Sequence, residues 1–168
     1  MQFLILVLRL IIIVAVQVFL LNEIYLGQLV IPYIYLLFII KLPFEIKPWV
    51  LLMWGFILGF ILDIITGTYG INSSAVVAAA FMRPWIIQLV SGRKAIEAQA
   101  SPSVRDMGLR WFLTYTTLLV VIHQTVLFFV EAFGFSFAPY TLLKIFFSSI
   151  LSIALITLSE YLFFKPRG

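Results

Sequence analysis

From Phe3 to Leu21 the chain reads "FLILVLRLIIIVAVQVFLL", with Arg9 as its one charge. A run of about 20 apolar residues is what an α-helix needs to cross the hydrocarbon of a bilayer. Further apolar segments follow, and six spans are expected at about 3–21, 29–44, 49–66, 72–90, 111–133 and 140–164. Hydrophobic residues make up 64% of the chain and charged ones 11%. A soluble domain carries roughly 25% charged residues, and a chain of 168 residues has too little interior to hide so much apolar side chain. The expected fold class is an all-α integral membrane protein, a single polytopic domain over 1–168 with six transmembrane helices. The second segment is short and carries Pro32, which predicts a kinked or thin crossing, or one lengthened by "NEIYLGQ" at the membrane surface. The first segment lacks a basic leader and a small-x-small cleavage site, and is read as a retained span.

Six spans put the N-terminus, the second and fourth loops and the C-terminus on one side. That side holds Lys41, Lys47, Arg93, Lys94, Arg105, Arg110, Lys165 and Arg167, while the loops around Glu23, Thr68 and Glu131 hold no Lys or Arg. Basic residues near span ends mark the cytoplasmic face, so both termini are predicted cytoplasmic. The one sizeable polar connection is the cytoplasmic loop 91–110, with a brief surface helix predicted over Lys94 to Ala100 and a break at Ser101-Pro102. Cysteine is absent, which excludes disulfides and thiolate metal sites.

The third and fourth spans carry the densest pattern. Gly55, Gly59, Asp63 and Gly67 recur every four residues and so form one slowly drifting helical stripe, followed by the turn "TGTYGIN" with Gly70. Glycines let helix backbones approach in lipid, and Ser74 with Ala78, and Ala75 with Ala79, give the fourth span a matching small face. A tight helical hairpin is predicted, with Asp63 at the open end of its seam. Asp63 either caps the turn, bonding amides of Thr66 to Tyr69 or the hydroxyls of Ser73 and Ser74, or serves a ligand, a proton relay or a partner. At about 1.5 Å per residue, Arg83 lies about 12 Å deeper than Asp63, too far to pair with it. Arg83 is expected to snorkel to the cytoplasmic interface, where Arg83, Pro84 and Trp85 gather a cation, a kink and an interfacial indole.

The fifth span holds Thr114, Thr116, Thr117, His123, Gln124 and Glu131; Thr116 and His123 share a face. His123 is the only histidine, so a hydrogen-bonded interhelical role is expected instead of a metal site. In the sixth span Lys144, Ser148, Ser152 and Ser159 form either a packing seam or the lining of a small polar cavity. Glu160 is expected to meet Lys165 or to snorkel. No catalytic constellation, phosphate loop or paired acids appear, which points away from an enzyme, and the scattered bases give no nucleic-acid footprint. No cofactor is implied.

The stretch "LPFEIKPWVLLMWGFILGFILDIITGTYGINSSAVVAAAFMRPW", Leu42 to Trp85, resembles the rod shape-determining MreD family in the form found in the Bacteroidetes lineage. The resemblance is carried above all by Gly55 to Gly70 and covers about a quarter of the chain. It implies a small inner-membrane protein of the cell-elongation machinery (the elongasome), without enzymatic activity, that binds MreC and through it MreB, RodA and the elongation transpeptidase in peptidoglycan synthesis and cell shape. It also implies a fold similar to the six-span S components of energy-coupling-factor vitamin importers, with Gly55, Gly59, Asp63, Gly67 and Gly70 as signature positions of structural or partner-facing role.

Two functions follow for testing. One is a non-catalytic scaffold that docks a single-span partner through its small-residue seams. The other is an S-component-like, solute-binding subunit of a vitamin importer, whose cavity would be built from Asp63, His123, Lys144 and Ser148. S components carry an alanine pair four apart in the first span, where this chain has Ala15 alone.

Overall fold

A computed structural model describes residues 2–22, 30–91, 101–133 and 138–163. The "NEIYLGQ" extension except Asn22, the surface helix expected over Lys94 to Ala100, and Glu23, Arg93, Glu97, Lys165 and Arg167 lie outside the described residues.

The described residues are helical, with no strand among them. α1 (Gln2–Val16) continues into a π-helical turn over Gln17–Leu21. A short α2 (Leu36–Ile40) follows, then α3 (Pro48–Thr66) and α4 (Ile71–Ser91). A single turn, α5 (Val104–Met107), leads into α6 (Leu109–Glu131) and α7 (Ala138–Phe163). Five of these stretches are long and apolar enough to cross a membrane: Leu4–Leu21, Pro48–Thr66, Ile71–Ser91, Leu109–Glu131 and Ala138–Leu162. They coincide within a few residues with five of the segments read from the sequence.

The second segment departs from that reading. Only Leu36–Ile40 is helical there, and residues 30–34 have no regular structure. Pro32 contributes no N–H and disfavours a helical residue before it, which explains where helix is lost. The segment is nonetheless the centre of the protein: Tyr35, Leu36, Ile39, Ile40 and Leu42 are at most 1% exposed. α3 packs on α4, α4 on α6, and α6 on α7, while α1 touches α2 and α3.

α3 and α4 form the predicted hairpin. A Cβ added at Gly59 would lie 2.4 Å from Ser73 Cα, and one at Gly55 would lie 3.1 Å from Ala80 Cβ. Any side chain at 59 would therefore push the helices apart. Gly67 ends α3 in the left-handed conformation (φ 68°), its N–H closing on Asp63 O. Ala75, Val76, Ala79 and Ala80 are buried, with Ser74 and Ala78 at the edge of that face. The opposite face of α3 carries Met53, Phe56, Phe60 and Ile64, all at least 44% exposed, and is bulky and apolar as a lipid-facing surface would be.

Candidate functional site

Irregular backbone at membrane depth is tolerated only where protein satisfies it, because each unbonded N–H or C=O in hydrocarbon costs several kcal/mol. Four backbone groups of residues 31–34 are bonded by side chains from two helices. The N–H groups of Ile31 and Tyr33 donate to Ser148 Oγ (3.0 Å) and Ser152 Oγ (2.9 Å) of α7. On the other edge, Gln17 donates from Nε2 to Pro32 O (3.0 Å) and accepts Ile34 N–H at Oε1 (2.9 Å). Odd residues bond one helix and even residues the other, as the two-residue period of an extended chain requires. The spacing fits: four helical residues rise about 6 Å, and two extended residues advance about 6.6 Å.

The far end of the segment is held as firmly. Arg83 of α4 is 1% exposed and donates to Leu42 O, to Pro43 O (3.4 Å) and from Nε to Tyr115 Oη (2.7 Å). Tyr115 donates to Ile40 O (3.3 Å). Ile40 O ends α2 and Leu42 O and Pro43 O follow it, Pro43 O also accepting Ile46 N–H, and a cation there meets the negative end of the helix dipole. Arg83 does not snorkel, which corrects the expectation from the sequence; its reach is taken up by a neighbouring backbone that sequence spacing does not reveal. Arg83 and Asp63 are not paired. Pro84 is half-buried and Trp85 faces outward at 63% exposure, matching Trp49 at the same end of the hairpin. Glu160, 2% exposed, pairs with Lys41 at 2.9 Å and accepts Val104 N–H, instead of snorkelling.

At the opposite end, Asp63 is buried and accepts hydrogen bonds from Asn72 N (2.9 Å), Asn72 Nδ2 (3.2 Å), Ser73 N (2.9 Å), Ser73 Oγ (2.5 Å) and Thr68 Oγ1 (2.6 Å). It caps α4 from across the hairpin. The capping role and the Ser73 hydroxyl were expected; the amides used are those of Asn72 and Ser73, not of Thr66 to Tyr69, and Ser74 Oγ donates to Ile71 O. Gly70 O accepts the N–H of Ser74 at 3.0 Å.

From this cap a chain of hydrogen bonds descends into the bundle. Tyr35 Oη donates to Asn72 Oδ1 (2.9 Å) and meets His123 Nε2 at 2.8 Å. The single Tyr35 proton goes to Asn72, whose amide nitrogen faces the Asp63 carboxylate, so the network assigns the His123 proton to Nε2. His123 Nδ1 is then a bare acceptor, and it and Thr116 Oγ1 are buried without a hydrogen-bond partner among the described residues. Gln124 joins α6 to α7, donating to Ser152 Oγ (2.9 Å) and accepting from Ser149 Oγ (2.9 Å). Lys144 pairs with Glu131 at 2.9 Å and lies 4.5 Å from the Phe128 ring centre. Ser159 donates to Leu155 O of its own helix.

The polar residues of the spans thus fall into structural sets. No group of three or more His, Cys, Asp or Glu comes together among the described residues. Sequence reasoning missed Gln17, Tyr35, Asn72 and Ser149. A lone glutamine in an apolar span was the available signal, because an amide in hydrocarbon needs partners. A groove of about 230 Å³ lies between α1 and the second segment, lined by apolar side chains with Arg9, Lys41 and Ser159.

Fold and site together define a multi-pass, all-helical membrane protein built around a broken, side-chain-bonded central segment. Compared with protein-family models, curated proteins and solved structures, the chain matches none.

Proposed function

We propose that the chain is a non-catalytic scaffold of the MreD type in the bacterial inner membrane, binding MreC and through it supporting the peptidoglycan synthesis that sets rod shape. In this reading residues 29–44 are the sixth crossing and both termini are cytoplasmic, with an S-component-like arrangement of spans. Ile31 lies beside Ser148 and Lys41 beside Glu160, so the segment runs alongside twelve residues of α7, about 18 Å of helix rise. Support for the family comes from the residues between Leu42 and Trp85.

The observation that carries the scaffold reading is where the polar side chains go. Asp63, Ser148, Ser152, Gln17 and Arg83 are bonded to the chain's own backbone and caps, and Lys144 to Glu131. A solute site would need such groups aimed into an open cavity. The hairpin glycines are packed against α4, so the MreC-binding surface in this reading is an outer helix face and not the Gly55–Gly59 seam.

Affinity purification in mild detergent tests the proposal. A single-span coiled-coil protein should co-purify, with elongation enzymes behind it; recovery of the chain alone at native expression sinks it. A reporter fused to the C-terminus should be active only in the cytoplasm.

The solute-binding alternative draws on His123 Nδ1 and Thr116 Oγ1, two buried groups with no hydrogen-bond partner among the described residues. A vitamin bound at a hundred times its dissociation constant would stabilise the protein by about 2.7 kcal/mol. A flat thermal response across vitamins favours the scaffold.

A further inference from the structure

α1 carries one cation, Arg9, about two turns from its first residue. Arg9 is exposed and has no hydrogen-bond or ion-pair partner among the described residues. Helical side chains lean toward the helix N-terminus, so Arg9 reaches back toward the near end of the bundle and its interface. Lys41 stands beside it at the mouth of the same groove, with Glu160 2.9 Å from its Nζ. That pair is neutral in sum and Lys41 also feels the Asp106 charge, so Arg9 is the cation of the mouth left without an ion-pair partner among the described residues. Beyond the mouth the walls are apolar: Ile12 and Ile13 of α1 face Ile34 and Phe38. Ile12 is 53% exposed, so this channel is open on its lipid side.

We propose that the groove between α1 and residues 34–42 binds one anionic phospholipid, its phosphate on Arg9 and an acyl chain along Ile12, Ile13, Ile34 and Phe38. Charge and shape select that occupant. A guanidinium presents paired donors to phosphate oxygens, and basic pockets between transmembrane helices are suited to anionic headgroups. A docking helix prefers small residues that allow close approach, and these walls are bulky and branched. A flexible hydrocarbon chain with a negative end fits both halves of the groove. Bound there, the lipid braces α1 against the central segment.

The test is native mass spectrometry of the full chain in neutral detergent. Phosphatidylglycerol and phosphatidylcholine of equal chain length are supplied together. The wild type should retain the anionic lipid by roughly fivefold over the zwitterionic one, the factor expected from one basic residue at a membrane surface. Arg9→Gln should bring the two within about twofold of each other, and Arg9→Lys should keep most of the preference. Ile12→Trp, which fills the channel without changing charge, should lower retention of the anionic lipid as far as Arg9→Gln does. Because Arg9 has no partner among the described residues, Arg9→Gln should melt like the wild type in lipid-free detergent; if it does not fold, Arg9→Lys and Ile12→Trp carry the test. Equal retention of both lipids by the wild type overturns the proposal. So does a preference that survives Arg9→Gln, unchanged retention in Ile12→Trp, displacement of the lipid by excess inorganic phosphate, or a protein dimer that Ile12→Trp abolishes with no lipid retained.

Discussion

Ser152 Oγ accepts the backbone N–H of Tyr33 at 2.9 Å, across 119 residues of sequence. The same oxygen accepts from Gln124 Nε2 at 2.9 Å, so one hydroxyl joins the central segment to α6 and α7. Replacing it by a methyl group leaves a backbone N–H and an amide without partners in a dry interior. Ser152→Ala is expected to cost about 1–3 kcal/mol for each unsatisfied group. Thr157→Ala is the control: among the described residues Thr157 Oγ1 donates only to Ile153 O of its own helix, and its loss should move stability by about 0.5 kcal/mol or less. Unfolding in mixed micelles measures both; equal effects would mean that the serine is not holding Tyr33.

Gln17 does from the π-helical turn after α1 what Ser148 and Ser152 do from α7. Its amide pairs Pro32 O and Ile34 N–H as a neighbouring strand would. Gln17→Leu keeps the apolar bulk and removes both bonds, so two orphaned backbone groups follow at about 1–3 kcal/mol each. Hydrogen exchange at Ile34 is the direct reading. Protection there should fall in the variant while amides in the middle of α6 keep theirs.

The two hairpin glycines should differ in severity. At Gly59 a new Cβ meets backbone, Ser73 Cα at 2.4 Å, which moves only if the helices separate. At Gly55 it meets the Ala80 methyl at 3.1 Å, which a shift of a few tenths of an ångström relieves. Gly59→Ala is expected to cost about 1–3 kcal/mol, the range for overpacking, and Gly55→Ala less. Thermal unfolding of the two variants side by side checks the order; the reverse order would contradict the hairpin geometry.

What was legible in the sequence divides along a physical line. Local and near-local signals were enough for five apolar helices, for the α3–α4 hairpin with its four-residue spacing, and for Asp63 with Ser73, ten residues apart. Pro32 marked the second segment as irregular. The partners of that segment were not legible, because Gln17, Arg83, Ser148 and Ser152 meet it only after the helices are arranged around it. Arg83 shows the limit well. Its neighbours Pro84 and Trp85 are what an interfacial cation would have, and its burial is explained by the carbonyls just after α2, 40 and 41 residues away in sequence, together with Tyr115. Glu160 was misassigned for the same reason, its partner Lys41 lying 119 residues off.

Asp106 lies outside the spans and gives a pH dependence with a definite sign. Ser101 donates to its carboxylate from both the hydroxyl and the backbone N–H, holding the acid below its usual 3.8, with Ser103 and the Arg105 charge acting the same way. A carboxyl whose folded value is depressed contributes above its unfolded value and loses that contribution as pH falls through the folded one. The turn at 101–107 should therefore be intact at neutral pH and loosen on acidification below about pH 4. The carboxylate is largely exposed, so the change should stay local. Amide exchange of Ser101 and Met107 should rise in acid relative to neighbouring α6 amides, and Asp106→Asn should show the faster exchange already at pH 7.

Asp63 gives the sharpest separation between a cap and a relay. Its carboxylate accepts five hydrogen bonds and gives none. Asp63→Asn keeps the shape but turns one acceptor into a donor that faces other donors. The charge-assisted bonds to the start of α4 are then lost, at about 1.5–3 kcal/mol for each bond that fails. If capping is the whole role, activity in cells should follow folded protein across Asp63→Asn, Asp63→Ala and Ser73→Ala, and raising the level of folded Asp63→Asn should restore that activity. A variant that folds to wild-type levels and still fails would show that the carboxylate has a second task. Placing that task would begin at Asn72 and Tyr35, the next links of the chain toward His123.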